Sequence, residues 1–297
     1  MQVNSIRTFV GIVFLLISGL GFAVNILIAV AALRDGIDLN TSNAARYFIA
    51  AMILFIYQII TKRPIIIPAK ERFTAIALGI TVFMMGIGYL GATMYIPVSL
   101  AVLIFYTAPF FVFIISRFTE KEPFTMIRMA AILMAFAGLF LAMGIQTLSG
   151  LHIIGILLAF LASLGFALWA TVSNLAIRTA DSQAVNLHAL SSGVVLFFCF
   201  HLLSGSEADQ LTQTGLLYLI GSGIALSIAY ITFYAGLKIA GPVKSSMLLN
   251  IEPIFTIALS VAIFGEQLSA TRLIGAGLVI SGVFLINYKY KSNPQGP

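Results

Sequence analysis

Charge is what this sequence has least of. Of 297 residues, 16 are Lys or Arg and 10 are Asp or Glu, 9% of the chain, where a soluble domain carries about 25%. The deficit runs from end to end, which excludes a soluble domain on a single anchor and puts the bulk of the chain in lipid. Cysteine is scarcer still. Cys199 stands alone inside an apolar segment, so there is neither a disulfide framework nor a thiolate metal site. Alternating segments of about ten residues are missing too, and with them an outer-membrane barrel. The chain lacks H-E-x-x-H, the phosphate-binding loop and the G-x-S-x-G elbow. No cofactor or metal is expected, and without an ATP-binding loop any pumping must draw on a gradient or an exchange.

An enzyme and a channel are the rival classes, and each has one faint feature. "LSSG" at 190–193 has the serines of an intramembrane protease but no histidine placed to activate them. "GIGYLG" at 86–91 resembles a potassium filter, which needs four copies and a re-entrant loop.

What is present is apolar: 60% of residues are hydrophobic and the mean hydropathy is +1.07. A bilayer core of about 30 Å needs about 20 apolar residues per helix. Ten such segments are predicted, at 7–33, 41–61, 72–93, 97–117, 124–146, 151–177, 183–203, 213–237, 243–264 and 270–288. Leu, Ala, Ile and Gly dominate them, so the fold class is an all-α polytopic membrane protein. The first segment exceeds the 7–15 apolar residues of a signal peptide and is read as a retained helix. Basic residues gather in alternate loops, which sets orientation. With the N-terminus cytoplasmic, thirteen of the sixteen Lys and Arg fall inside, leaving Arg34, Arg46 and Arg272 outside. Both termini are then cytoplasmic, a cell inner membrane fits, and the basic balance requires no nucleic-acid partner.

A repeat lies at an offset of 144 residues. Gly11 falls on Gly155, Leu20–Ala23 on Leu164–Ala167, Arg34 on Arg178, Gly79–Ile80 on Gly223–Ile224 and Ile87 on Ile231. Pro109 falls on Pro253, Glu122 on Glu266, Arg128 on Arg272 and Gly138 on Gly282. Matches among scarce Pro, Glu and Arg carry the weight. Each half, 1–146 and 147–297, holds five segments. An odd number sends the second half into the membrane from the opposite side, which makes inverted-topology repeats. Many carriers alternate access around a site between such halves.

The stretch "IEPIFTIALSVAIFGEQLSATRLIGAGLVISGVFLI" (251–286) and its mate "APFFVFIISRFTEKEPFTMIRMAAILMAFAGLFLA" (108–142) resemble the two copies of the EamA domain. That domain marks the ten-helix members of the drug/metabolite transporter superfamily. The shared pattern is a proline within segment 4 or 9, a "GE" or "E" past its end, and a Gly-rich segment after it. The first copy reads "TEKEP", so its Gly is missing. The resemblance implies a transporter of small metabolites such as amino acids, nucleotide-like compounds, vitamins or drugs. It implies a cavity lined by segments 1, 3, 4, 6, 8 and 9.

Candidate residues fall on those segments. Glu252 carries the sole charge between Ser245 and Phe264. A carboxylate at membrane depth costs a few kcal/mol and so faces a cavity or a partner. It either binds a cationic group, cycles a proton, or sits neutral and bonded to a neighbouring helix. Ser245, Leu249 and Thr256 share its face, Asn250 and Ser246 adjoin it, and Pro253 predicts a kink. On segment 8, Gly223, Ser227, Tyr230 and Tyr234 form a stripe. Tyr106 is the repeat mate of Asn250. Segment 3 adds Tyr89 and Thr93, segment 1 Ser18, Phe22 and Asn25, and segment 6 Ser163, Phe166 and Trp169. Each alone reads as ordinary packing; the set reads as a solute pathway.

Arg46 is expected to snorkel to the headgroups or gate the outer mouth, with Lys244 doing the same inside. Small residues Gly275, Gly277, Ser281, Ala131 and Ala135 permit close helix approach, within a monomer or between the subunits of a homodimer. The expectation is a carrier exporting amino acids or related compounds. An uptake or exchange carrier for a nucleotide-like metabolite, vitamin or drug is the alternative.

Overall fold

The computed structural model describes residues 2–119, 126–143, 152–177, 179–204, 212–240, 248–249 and 251–288. The chain is an all-α polytopic membrane protein built from two five-segment halves. The first half contributes α1 (Gln2–Arg34), α2 (Leu39–Ile60), α3 (Ala69–Ala92), α4 (Val98–Phe105), α5 (Ala108–Thr119) and α6 (Met126–Met143). The second contributes α7 (Ile153–Ala176), α8 (Ser182–Ser204), α9 (Gln213–Ala240), α10 (Glu252–Phe264) and α11 (Ala270–Tyr288). Among the described residues six helices are long and apolar enough to span a membrane, and they are α1–α3 and α7–α9, the first three of each half.

Local signals account for the ends. Asp38 caps α2, its carboxylate accepting from the backbone N–H of Asn40 at 2.8 Å and of Thr41 at 3.3 Å. Gly265, in the left-handed region at φ 65°, closes α10. The run "GIGYLG" lies inside the uninterrupted helix α3, where Gly88 lets the Leu158 carbonyl of α7 come close.

Two segments differ from expectation. The fourth is two helices, with Tyr106 and Thr107 between α4 and α5. The ninth carries a helix start where a kink was expected: α10 begins at Glu252, with Ile251 flanking it and Pro253 in the first turn. Proline lacks the N–H and its ring clashes with the carbonyl four residues back, so a helix tolerates it in the first turn and not further in. Pro109 and Pro253 hold the same place in α5 and α10.

Packing repeats the sequence register. Helix α1 lies along α9, and α3 along α7. Gly21 of α1 faces Ala229 and the Ala225 carbonyl of α9, while its mate Gly165 of α7 faces Met84 and the Thr81 carbonyl of α3. Each of those neighbours is itself 144 residues from its counterpart, within one position. Gly275 of α11 packs on Gly138 and Ala142 of α6, and Gly282 on Ala131 and Ala135. The small-residue seam thus holds α6 to α11 within one chain, whereas Gly277 faces open space.

One end of the bundle is sealed. Glu266, just past α10, accepts the Val98 N–H at 2.8 Å and the Ser99 N–H at 3.2 Å, so a carboxylate of the second half caps α4 of the first. Ser260 donates to the same carboxylate at 3.3 Å. Beside it the Arg34 guanidinium stacks 3.9 Å from the Phe264 ring centroid. Leu33, Leu39, Phe264 and Leu268 close over the apolar core at this end.

Candidate functional site

Between the halves lies a cavity of about 330 Å³, a size typical of small-molecule sites. Nine of the twelve sequence-predicted site residues line it: Phe22 and Asn25 on α1, Tyr89 on α3, Tyr106 after α4, Phe166 and Trp169 on α7, Tyr230 and Tyr234 on α9, and Glu252. Asn250 and Ser246 lie outside the described residues, as do Ser245 and Lys244. Ser227 is not part of the lining. Its short side chain turns back and donates to the Gly223 carbonyl at 2.7 Å, within its own helix. Thr93 likewise ends α3, donating to the Leu90 carbonyl at 2.6 Å.

Several candidates serve the scaffold. Ser18 donates from α1 to the Ala229 carbonyl of α9 at 2.9 Å. Ser163 meets the Thr107 hydroxyl at 3.0 Å and so ties α7 to the gap between α4 and α5. The walls are aromatic: Phe22 meets Tyr230 edge-on with ring centroids 5.3 Å apart, and Tyr89 stacks on Phe105 at 4.8 Å.

The carboxylate is held across the halves. Tyr106 Oη stands 2.8 Å from Glu252 Oε2 and 3.0 Å from the Leu249 carbonyl oxygen. Leu249 is the residue whose carbonyl Pro253 leaves without its helical donor, four positions on. The phenol carries one proton, so two arrangements satisfy the group. An ionised Glu252 accepts the Tyr106 proton. A protonated Glu252 donates to Tyr106 Oη, which then donates to the Leu249 carbonyl. The triad can therefore hold Glu252 in either protonation state without stranding a donor. One other polar atom in the wall, Asn25 Oδ1, has no protein partner among the described residues.

Arg46 corrects the sequence reading. It is 3% exposed and lines the cavity instead of reaching the headgroups, because α2 is packed by α8 and α9. Its neighbour Tyr47, not foreseen, lines the same wall, with the guanidinium carbon 5.0 Å from its ring centroid. The legible signal was Asn43, three residues before Arg46 and on the same helical face. Among the described residues no set of three His, Cys, Asp or Glu side chains is arranged to hold a metal.

Comparison with known proteins matches both halves to one family, the EamA-like transporter family, over residues 9–144 and 153–288. Similar chains include the Bacillus subtilis (strain 168) protein "Uncharacterized transporter YoaV", 22% identical over 253 residues, which are 82% of this chain and 86% of the relative. An "Uncharacterized transporter" of Archaeoglobus fulgidus is 24% identical over 212 residues, 71% of this chain and 75% of that one. A solved crystal structure shares the fold at 17% identity with a TM-score of 0.65, over 98% of this chain and 100% of its own.

Proposed function

The chain belongs to the EamA-like transporter family, and from that premise we propose a secondary carrier that works by alternating access and exports amino acids or related small metabolites across a cell inner membrane. The observation that carries this reading is Glu252, fixed at the start of α10 and bonded across the halves to Tyr106 in the wall of an aromatic cavity. A carboxylate at membrane depth that faces a cavity marks a solute or proton path. Sites of this kind lie between repeats, at the ends of discontinuous helices. The sealed end formed by Glu266, Arg34 and Phe264 supports the same reading, since alternating access requires closing one end of the site at a time. The basic loops support cytoplasmic termini.

Coupling to a gradient runs through Glu252 in this proposal, because the Tyr106–Leu249 pair accommodates the residue with and without its proton. The test is counterflow in liposomes containing the purified protein, loaded with unlabelled amino acids and supplied with labelled ones at several pH values. The expected result is saturable exchange whose rate responds to pH, and a Glu252→Gln variant that has lost the response. Unchanged pH dependence in that variant removes proton coupling through Glu252. Single-channel currents without counterflow would establish a channel, and turnover of a lipid or peptide without solute movement an enzyme.

A further inference from the structure

We propose that Arg46 is the anion-binding residue of this cavity, so that the site selects solutes carrying both a carboxylate and an ammonium group, held between Arg46 and Glu252. The proposal rests on reading the cavity as the substrate site, and adds to it a specificity-determining residue and the charge pattern of the ligand.

An arginine removed from water is expensive unless its charge is matched. No described carboxylate matches Arg46, whose guanidinium carbon otherwise lies 5.0 Å from the Tyr47 ring centroid. Its hydrogen bonds there go to one neutral acceptor, Asn43 Oδ1, at 3.1 Å from Nε and 2.7 Å from Nη2. No described carboxylate lies within 4 Å of it, and Nη1 makes no hydrogen bond to a described residue. One edge of the planar fork is thus held by Asn43 while the other is left for a ligand, the arrangement that grips a carboxylate. Asn43 is itself half-satisfied, its Nδ2 having no described partner.

The matching charge is present but not in contact. Glu252 forms no ion pair with a described residue, and it lines the same cavity as Arg46. The two side chains line one cavity without coming within 4 Å of each other, so they form no direct pair and a ligand carrying both an ammonium and a carboxylate can lie between them. Asn25, whose Oδ1 has no described partner, and Tyr89 line the same cavity. A lone cation would leave Arg46 unmatched, and a lone anion would leave unused the carboxylate that faces the same cavity. A zwitterion uses both, and the aromatic walls take its apolar side chain.

Trp169, the chain's one tryptophan, lines the cavity and reports binding without transport. Its fluorescence is titrated in purified protein with leucine and methionine, with their carboxamides, and with the corresponding acids lacking the amino group. At least one amino acid is expected to bind, with its carboxamide and deaminated acid at least tenfold weaker. Arg46→Gln should weaken the amino acid at least tenfold and leave the carboxamide unchanged. Glu252→Gln should weaken the amino acid and leave the deaminated acid unchanged, and Arg46→Lys should keep most of the preference for a carboxylate. Equal weakening of all three ligands by Arg46→Gln would mean a structural role and overturn the proposal. So would equal affinity of the wild type for amino acid and carboxamide, or binding of none of the set. Counterflow of some other solute without this pattern leaves the carrier reading standing and this one fallen; the pattern without any counterflow does the reverse.

Discussion

The two halves place a helix start at the same register and furnish it differently. Helix α5 begins at Ala108 and α10 at Glu252, each with proline next in line, and these positions are repeat mates. In front of α5, Thr107 is bonded to Ser163 of α7. At the mated position in front of α10, Ile251 rests against Gly19 of α1, where an added Cβ would lie 3.0 Å from its Cγ2. The first half uses a hydroxyl pair where the second uses close apolar contact, and the second half alone carries a carboxylate. The other cavity charge, Arg46, belongs to the first half and its mate is the buried apolar Leu190. Backbone design is shared between the halves, then, while charge is assigned to one half or the other. A site of exact twofold symmetry would present paired like charges; among the described residues this one presents one of each.

Combining Ala108→Glu with Glu252→Ala moves the carboxylate to its repeat mate and removes it from the second half. Transport in liposomes should fall by at least about 100-fold, equivalent to about 2.7 kcal/mol, because Tyr106 and the Leu249 carbonyl stay arranged around position 252. Wild-type rates in the swapped protein would make the asymmetry irrelevant. Tyr106→Phe removes the hydroxyl that bridges the halves and should slow transport by about tenfold, in line with about 1.5 kcal/mol for a hydrogen bond to a charged group. Glu266→Gln weakens the cap on α4 by about 1 kcal/mol. Cysteine labelling at Val98, in the same background, should then show greater accessibility from the sealed end. The smallest effect concerns the hydroxyl pair. Thr107→Val should lower thermal stability by about 1 kcal/mol, and pairing it with Ser163→Ala should recover part of the loss, since a buried hydroxyl left alone costs more than none.

How far the sequence reached depends on how local the signal was. Helix number and the repeat were legible because they rest on long apolar runs and on a register that holds over scarce residues such as Pro109 and Pro253. Glu252 was legible because a charge at that depth has few bland explanations. The gap at Tyr106 and Thr107 was not, since neither residue breaks a helix by itself. Its signal was the proline two residues later together with the mated one. Arg46 was misread because an arginine about 10 Å from a helix end can reach the headgroups equally well; burial by α8 and α9 decides it, and that is tertiary information. Ser227 fell on the expected stripe, but a short hydroxyl satisfies itself on its own helix where the longer tyrosines cannot.

The cap supplied by Glu266 also has a mechanical meaning. It pins α4 at one end, and the other end of α4 is the unwound pair Tyr106–Thr107, beyond which α5 runs on for twelve residues, about 18 Å. A post fixed at its foot and jointed at its top concentrates any bending of this segment at the joint, where Thr107 is bonded to α7 and beyond which α5 packs along the same helix. Over that length a rotation of about 10° carries the tip about 3 Å, the width of a water molecule. Any motion of α5 relative to α4 therefore has to carry α7 along or break that contact.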